Sequence, residues 1–309
     1  MDEKKESITV LMSTYNGEKY LQEQLDSILI QQDVGLNIII RDDGSTDATV
    51  DILRRYEREH NNITIINDGR NLKPCKSFLK LVSSYYEDTY YALSDQDDIW
   101  DPDKLICAIR MLKECDFNKP AMYYSNLRLV DENNVFYRNS HSKPKSLENK
   151  YLSLIQGGAT GCTIVYNKKL AEYANKVKPL DFSMHDTWIF IVCMLFGNVV
   201  YDFNPHINYR QHGNNVIGAS LSGKNKNYIV RELKRFCNRG LQPRYDNAIE
   251  LLREFGDDCD PETLEKLLEI VEYKRDFKHR QKLLKDKDFL SDDKYWKLRF
   301  KLLTFWGIL

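Results

Sequence analysis

The sequence predicts an α/β protein, with a mostly parallel central sheet flanked by helices and a helical extension at its C-terminal end. Three observations carry that prediction. Strand-like segments such as Leu36 to Ile40 read as unbroken apolar runs, and strands of that kind are buried on both faces. These runs alternate with segments whose apolar residues recur at helical spacing, the pattern of strand–helix–strand crossovers. Three runs end in polar clusters, at Tyr15, at Asp43 and at Asp95 with Asp97. Ligands of open α/β sheets bind outside the carboxyl ends of the strands, so the three clusters are expected to converge on one edge.

The elements follow in order. Ile8 to Ser13 is β-rich and gives way to the turn cluster Thr14-Tyr15-Asn16-Gly17. Tyr20, Leu21, Leu25, Ile28 and Leu29 repeat at helical spacing. The strand at Leu36 to Ile40 is closed by Arg41-Asp42-Asp43-Gly44-Ser45-Thr46-Asp47, and Asp47 is the expected N-cap of a helix that includes Val50, Leu53 and Tyr56. Ile63 to Ile66 is a third strand, and Phe78, Leu81, Val82 and Tyr85 mark a third helix. A strand at 90–94, a helix through Leu105, Ile109 and Leu112, and a strand at 121–127 complete this half. Beyond residue 150 the pattern changes. Gly157 to Thr163 is a small-residue strand or loop that a ligand can approach closely. Asp186 to Phe196 reads as a buried helix, Val199 to Phe203 as a strand, and Tyr209 to Asn215 as a polar loop. From about residue 224 the chain is helical and charged, which divides it into a body at 1–223 and an extension at 224–309.

Composition narrows the function. The 309 residues allow one large domain with an appendage, or two domains. No apolar run reaches the roughly 20 residues that span a bilayer, and the charged start Met1 to Ser7 lacks the apolar core of a signal peptide. Seven scattered cysteines without C-x-x-C spacing argue against a disulfide framework or a zinc site and fit a reducing cytosol. The net charge of −1 divides into −5 over residues 1–223 and +4 over 224–309. A near-neutral chain with an acidic body is not expected to bind nucleic acid.

The segment Ser94-Asp95-Gln96-Asp97-Asp98-Ile99-Trp100-Asp101 holds the most chemistry, with four carboxylates in seven residues directly after an apolar strand. Clustered carboxylates of this kind suit a hard cation, Mg²⁺ or Mn²⁺, bound together with substrate phosphates. A helix start before Pro102 accounts for Asp101 and Asp103. It does not account for Asp95 and Asp97, which precede the helix.

Four pieces, Met12 to Asn16, Arg41 to Asp47, Ser94 to Asp98 and His185-Asp186, stand in the order and at the spacing of one family. Over about residues 7–215 the chain resembles family 2 glycosyltransferases of the GT-A fold. The variant Ser-Asp-Gln-Asp-Asp-Ile-Trp, together with Tyr209-Arg210-Gln211-His212-Gly213-Asn214-Asn215, is similar to that of bacterial rhamnosyltransferases that build O-antigen or capsule chains. The resemblance implies that residues 1–130 form the nucleotide-binding half and 131–223 the acceptor half. Ser13 and Tyr15 would hold the nucleobase, Tyr15 by stacking, with Asp43 accepting from the base and Asp95 facing the ribose. Asp97, with His212 as a further candidate, would ligate the metal that bridges the diphosphate, and Asp186 would be the general base. Arg210, His185, Gly161 and Thr163 would lie near the diphosphate or the acceptor. Two departures matter. His185 stands where many relatives carry an acidic residue, and Arg210-Gln211-His212 replaces the Gln-x-x-Arg-Trp of processive synthases, which implies a single-addition enzyme.

The implied reaction is an inverting, metal-dependent transfer of a sugar, rhamnose from dTDP-rhamnose, to a hydroxyl of a cell-surface glycan or polyisoprenyl-diphosphate-linked acceptor. A UDP donor carrying another sugar, or a non-catalytic sugar-nucleotide or glycan-binding module, are the alternatives. Several residues keep duller readings at this stage. Tyr15 also reads as a turn aromatic and Asp43 as a turn former before Gly44. Asp186 also reads as a helix cap, and Arg210 suits a structural carboxylate as well as a diphosphate. In the tail, Lys294, Lys297 and Lys301 share one arc of a helical wheel, with Trp, Phe and Leu around the rest. That pattern fits either a helix on an anionic membrane, at the inner face of the plasma membrane, or a helix packed on the protein. Arg231, Lys234, Arg235 and Arg239 add positive charge nearby.

Overall fold

The computed structural model describes residues 5–84, 87–140, 147–176, 184–213 and 242–309. Asn214, Asn215, the four cations at 231–239 and the 223/224 boundary lie outside these residues. In chain order the strands are β1 (Glu6–Thr14), β2 (Val34–Asp42), β3 (Ile63–Asn67), β4 (Tyr90–Ser94), β5 (Ile99–Trp100), β6 (Ala121–Val130), β7 (Phe136–Asn139), β8 (Val165–Asn167) and β9 (Asn198–Arg210). The helices are α1 (Leu21–Leu29), α2 (Thr49–Glu59), α3 (Lys73–Ser84), α4 (Lys104–Lys113), α5 (Ser153–Gln156), α6 (Lys168–Ala174), α7 (His185–Phe196), α8 (Pro243–Phe255), α9 (Pro261–Glu272), α10 (Phe277–Lys285) and α11 (Lys294–Trp306).

The chain forms two compact units. The first comprises Met1–Lys143, Ala159–Leu180 and Gly197–Gly218. Its nine-stranded sheet runs β3-β2-β1-β4-β8-β6-β9-β5, with β7 paired to β6. The long ladders, β1–β2, β1–β4, β2–β3 and β6–β9, are parallel, and the antiparallel ones are short. The expected α/β class with a mostly parallel, helix-flanked sheet is therefore what forms. Ile8, Val10, Leu11 and Met12 of β1 and Tyr90 to Leu93 of β4 are all buried, as doubly covered strands require. On α1 the i, i+4, i+7 set Leu21, Leu25 and Ile28 is fully buried, each side chain contributing roughly 1.5–3 kcal/mol.

Three local expectations change. Asp47 is not the N-cap: Ala48 holds that position, and Asp47 accepts from the Thr49 amide at 3.0 Å from one residue earlier. The small-residue segment at 157–163 is no strand, and closes as a 3₁₀ turn at Gly161–Thr163. The strand expected at 199–203 runs on to Arg210, because β6 offers it a partner along its full length despite the polar Asn204, Pro205 and His206.

The second unit comprises Pro144–Gly158, Asp181–Phe196 and Ala219–Leu309, so α5 and α7 belong with the C-terminal helices. α7 is apolar nearly all round, with Trp188 to Cys193 buried. Asp260, Asp276 and Asp293 cap α9, α10 and α11 through their carboxylates. Gly307, at φ +74°, ends α11 in the left-handed conformation that glycine adopts without strain. Phe300, Leu303 and Leu309 are buried, and the Tyr273 hydroxyl accepts from the Leu309 amide at 3.0 Å. Among the described residues no helix is long and apolar enough to cross a membrane.

Candidate active site

Register builds the edge. Thr14 lies opposite Asp42 and Met12 opposite Ser94 in the parallel ladders, so Tyr15, Asp43 and Asp95 emerge together at the carboxyl ends of β1, β2 and β4. Tyr15 is 46% exposed with its ring open to a ligand. Its backbone is gripped from the acidic segment: the Tyr15 amide donates to Gln96 Oε1 at 2.8 Å, and Gln96 Nε2 donates to the Tyr15 carbonyl at 3.1 Å. A side chain at Gly17 would put its Cβ 2.3 Å from Gln96 Oε1, so any larger residue there would have to push that carboxamide aside. Ser13 is half-buried, its hydroxyl 2.6 Å from that of Ser77.

The two aspartates after β2 do local work. Asp42 accepts from Thr14 Oγ1, the Gly44 and Ser45 amides and Ser45 Oγ at 2.6–3.1 Å, fixing the turn. Asp43 is 3% exposed. It pairs with buried Arg41 and accepts from the Leu72 and Lys73 amides at 2.7 and 2.9 Å. Those bonds use three of a carboxylate's roughly four acceptor sites, which leaves one direction for a donor such as a base N–H.

Asp97, Asp98 and Asp95 form the acidic end of β4. Asp97 Oδ2 lies 2.7 Å from His212 Nε2. The two are hydrogen-bonded to each other; ligands of one octahedral Mg²⁺ or Mn²⁺, each about 2.1 Å from it and at right angles, would stand about 3 Å apart, so a slight opening of the pair would admit such an ion. Asp98 is fully buried, and burial first, then the charges of Asp97 and Asp95, push its carboxyl well above the usual range. Donor atoms of Asp95, Asp98 and Cys162 lie within 4.8 Å of one another. Behind them Lys104 is fully buried, its Nζ 3.4 Å from the Trp100 ring centroid. Burial brings its ammonium down to about 7, against the pull of Cys162 and Asp98.

Arg210 resolves its two readings toward the structural one. It is 2% exposed. Its guanidinium donates to the Asp97 and Glu132 carbonyls at 2.8 Å and to Glu23 Oε2 at 2.5 Å, and its amide donates to Asp98 Oδ1 at 3.1 Å. Arg210 therefore clamps the acidic loop. Tyr20 supports both C-terminal partners, with the Arg210 guanidinium 4.5 Å and the His212 ring 5.0 Å from its centroid. Of the small-residue segment, Gly161 and Thr163 are buried and the Thr163 hydroxyl donates to the Thr160 carbonyl at 2.7 Å. The close approach there is internal: a Cβ on Gly158 would sit 2.2 Å from the Phe190 ring.

In the second unit, Asp186 stands in the first turn of α7, half-buried, with Oδ1 accepting from the Thr187 amide at 2.6 Å. A carboxylate so held is fixed in direction. His185 beside it is 5% exposed, and burial holds its imidazole below the ordinary value against the opposing charge of Asp186.

The family model for glycosyl transferase family 2 matches residues 9–173. The chain belongs to glycosyltransferase family 2. It is 34% identical over 226 residues to the dTDP-rhamnosyl transferase RfbG of Shigella flexneri, covering 70% of this chain and 76% of that protein. A putative teichuronic acid biosynthesis glycosyltransferase, TuaG of Bacillus subtilis, is 25% identical over 235 residues, 74% of this chain and 88% of its own length. Among solved structures, S. aureus TarS (1–349, in complex with UDP-GlcNAc) superposes with a TM-score of 0.57 at 17% identity, over 90% of this chain and 78% of that one. This likeness bears on fold, and the fold is GT-A. As a family 2 member the chain is a glycosyltransferase. Sequence reasoning passed over Gln96, Tyr20, Lys104 and Cys162. Cys162 lay inside a segment already singled out for its small residues, whereas Lys104 gave no signal before its burial was known.

Proposed function

We propose that the protein transfers rhamnose from a dTDP-activated donor to a hydroxyl of a glycan or lipid-linked acceptor, with inversion. The observation that carries the reading is the acidic end of β4, where Asp97 meets His212 at 2.7 Å beside the exposed ring of Tyr15. The identity to a dTDP-rhamnosyl transferase supports the donor. In this reading Tyr15 stacks on the base, Ser13 and the remaining acceptor site of Asp43 hold its edge, and Asp95 faces the ribose. Asp97 and His212 would hold a divalent cation, Mg²⁺ or Mn²⁺, which would supply Lewis-acid stabilisation of the charge gathering on the departing diphosphate. Arg210 and Gln96 keep that loop in place. Asp186, on the second unit, takes the proton of the acceptor hydroxyl as its oxygen attacks the anomeric carbon. The bond to the diphosphate breaks on the opposite face, its electron pair leaves with the diphosphate, and the configuration inverts. Residues 1–223 are the catalytic part in this assignment and 224–309 the extension.

Incubation of the purified protein with a panel of nucleotide sugars, read by the nucleoside diphosphate released, tests the donor. Release of dTDP from dTDP-rhamnose above all others is expected, and preference for a UDP-sugar would overturn the rhamnosyl assignment. EDTA should abolish release and added Mg²⁺ or Mn²⁺ restore it. Activity indifferent to chelation would remove the metal from the reading.

A further inference from the structure

We propose that Asp103, Cys107 and His206 form a second metal site, selective for a borderline-soft ion of the Zn²⁺ class. Asp103 and Cys107 lie four residues apart at the start of α4, on one face. His206 comes from β9, where the register against β6 shifts on both sides of Pro205, and irregularities of this kind re-aim side chains. The ligand atoms all lie within 4.8 Å of one another. His206 Nδ1 is 3.2 Å from Asp103 Oδ1, and Cys107 Sγ is 3.6 Å from Asp103 Oδ2. Tetrahedral zinc, with nitrogen and oxygen at about 2.0–2.1 Å and sulfur at about 2.3 Å, needs separations of about 3.3 and about 3.5 Å. The observed spacings are close to these values, one to each oxygen of the Asp103 carboxylate, so a small rotation of that carboxylate would bring the three ligands round one ion.

A second, independent feature is the other face of the imidazole. His206 Nε2 lies 3.2 Å from Asp202 Oδ2, so both ring nitrogens meet carboxylates. A neutral imidazole donates from one nitrogen only. With Nε2–H directed at Asp202 Oδ2, Nδ1 is turned toward the Asp103 carboxylate and the Cys107 sulfur, where a cation would be shared by all three. A buried carboxylate on the far nitrogen is the support that metal-bound histidines carry. Asp202 is 8% exposed and is itself held by the Tyr123 hydroxyl at 3.2 Å and the Asn204 amide at 2.8 Å. Donor chemistry separates this site from the Asp97–His212 pair. Thiolate with imidazole selects zinc-like ions, whereas Mg²⁺ seeks oxygen. The ion would fasten the start of α4 to β9, the strand that delivers Arg210, with water completing its coordination.

Titration of the chelator-stripped full-length protein with Co²⁺ tests it, because cobalt bound by a thiolate shows a sulfur-to-metal charge-transfer absorption. One equivalent should raise that band, Zn²⁺ should abolish it, and excess Mg²⁺ should leave it. Cys107→Ser, nearly isosteric, should lose the band, and Asp97→Asn should keep it. Asp202→Asn should keep the band with affinity lowered about 10–100-fold, the usual effect of losing such a support. Absence of the band in the unaltered protein, or its survival in Cys107→Ser, would overturn the proposal.

Discussion

Gln96 joins the two halves of the donor edge with a single carboxamide, bonded to both the amide and the carbonyl of Tyr15. Each such bond is worth about 0.5–1.5 kcal/mol net, so Gln96→Ala should weaken nucleoside diphosphate binding about tenfold, measured by calorimetry, with a smaller change in turnover. Gly17→Ala displaces the same carboxamide, and the double variant should be scarcely worse than either single one; additive losses would mean that Gln96 acts elsewhere. Asp186→Asn probes the other half of the chemistry. It keeps size and the bond from the Thr187 amide but not basicity, so turnover should fall by about 10²–10⁴-fold with donor affinity unchanged. Lost donor binding at normal turnover would make Asp186 a positioning residue instead. Asp97 was legible in the sequence because charge clustered at a strand end demands a reason. Gln96 was not, since a glutamine between aspartates reads as a spacer until β1 and β4 lie side by side. Arg210 had two readings, and only burial against Glu23 chose between them.

Strands buried on both faces were legible as elements, because their composition alone reports the covering: β1, β2 and β4 fall within a few residues of the apolar runs that announce them. β9 was legible only in its first third. Its continuation past Phe203 exists through pairing with β6, an interaction 77–80 residues distant in sequence that local pattern does not carry. Helix starts were less accessible: Asp47 stands one residue ahead of the cap position it was expected to hold, and the sequence did not single out Asp260, which caps α9. Its carboxylate accepts from the Thr263 amide and hydroxyl, and Lys150 lies 3.1 Å away. The Thr263 bonds first, then Lys150, lower its pKa to about 2. A carboxylate with a depressed folded-state value contributes stability above its unfolded value near 3.8, lost as pH falls through about 2. Asp260→Ala should therefore cost about 1 kcal/mol at neutral pH, as helix caps do. The gap to the unaltered protein, followed by urea unfolding, should close between pH 4 and pH 2. A gap that persists at pH 2 would assign the loss to packing instead.

At the scale of the whole molecule, the charge split between an acidic body and a basic tail gains meaning from how α11 is used. Its apolar residues divide: Phe300 and Leu303 are buried within the second unit, while Tyr295, Leu298, Phe305 and Trp306 are 44–59% exposed. Lys294, Lys297 and Lys301 are exposed as well. On the wheel those lysines flank Leu298 and Phe305, so one face offers cations beside apolar side chains, the composition of an interfacial helix. We propose that this face meets an anionic membrane, where the lipid-linked acceptor of the proposed reaction would reside. Deleting α11 is the wrong experiment, because it strips Phe300, Leu303 and the bond from Leu309 to Tyr273 out of the unit. Exposed positions are separable from that packing. Each lysine near an anionic surface is worth about 1 kcal/mol, roughly 3 for the trio, and the attraction fades as the screening length shrinks to about 3 Å at 1 M salt. Full-length protein should therefore sediment with phosphatidylglycerol vesicles at low salt and be released at high salt. Lys294→Gln, Lys297→Gln and Lys301→Gln together should abolish that binding, and Leu298→Ser with Phe305→Ser should weaken it without lowering the unfolding midpoint. Undiminished binding by both sets of variants, or no binding by the unaltered protein, would leave α11 a packing helix whose lysines serve solubility alone.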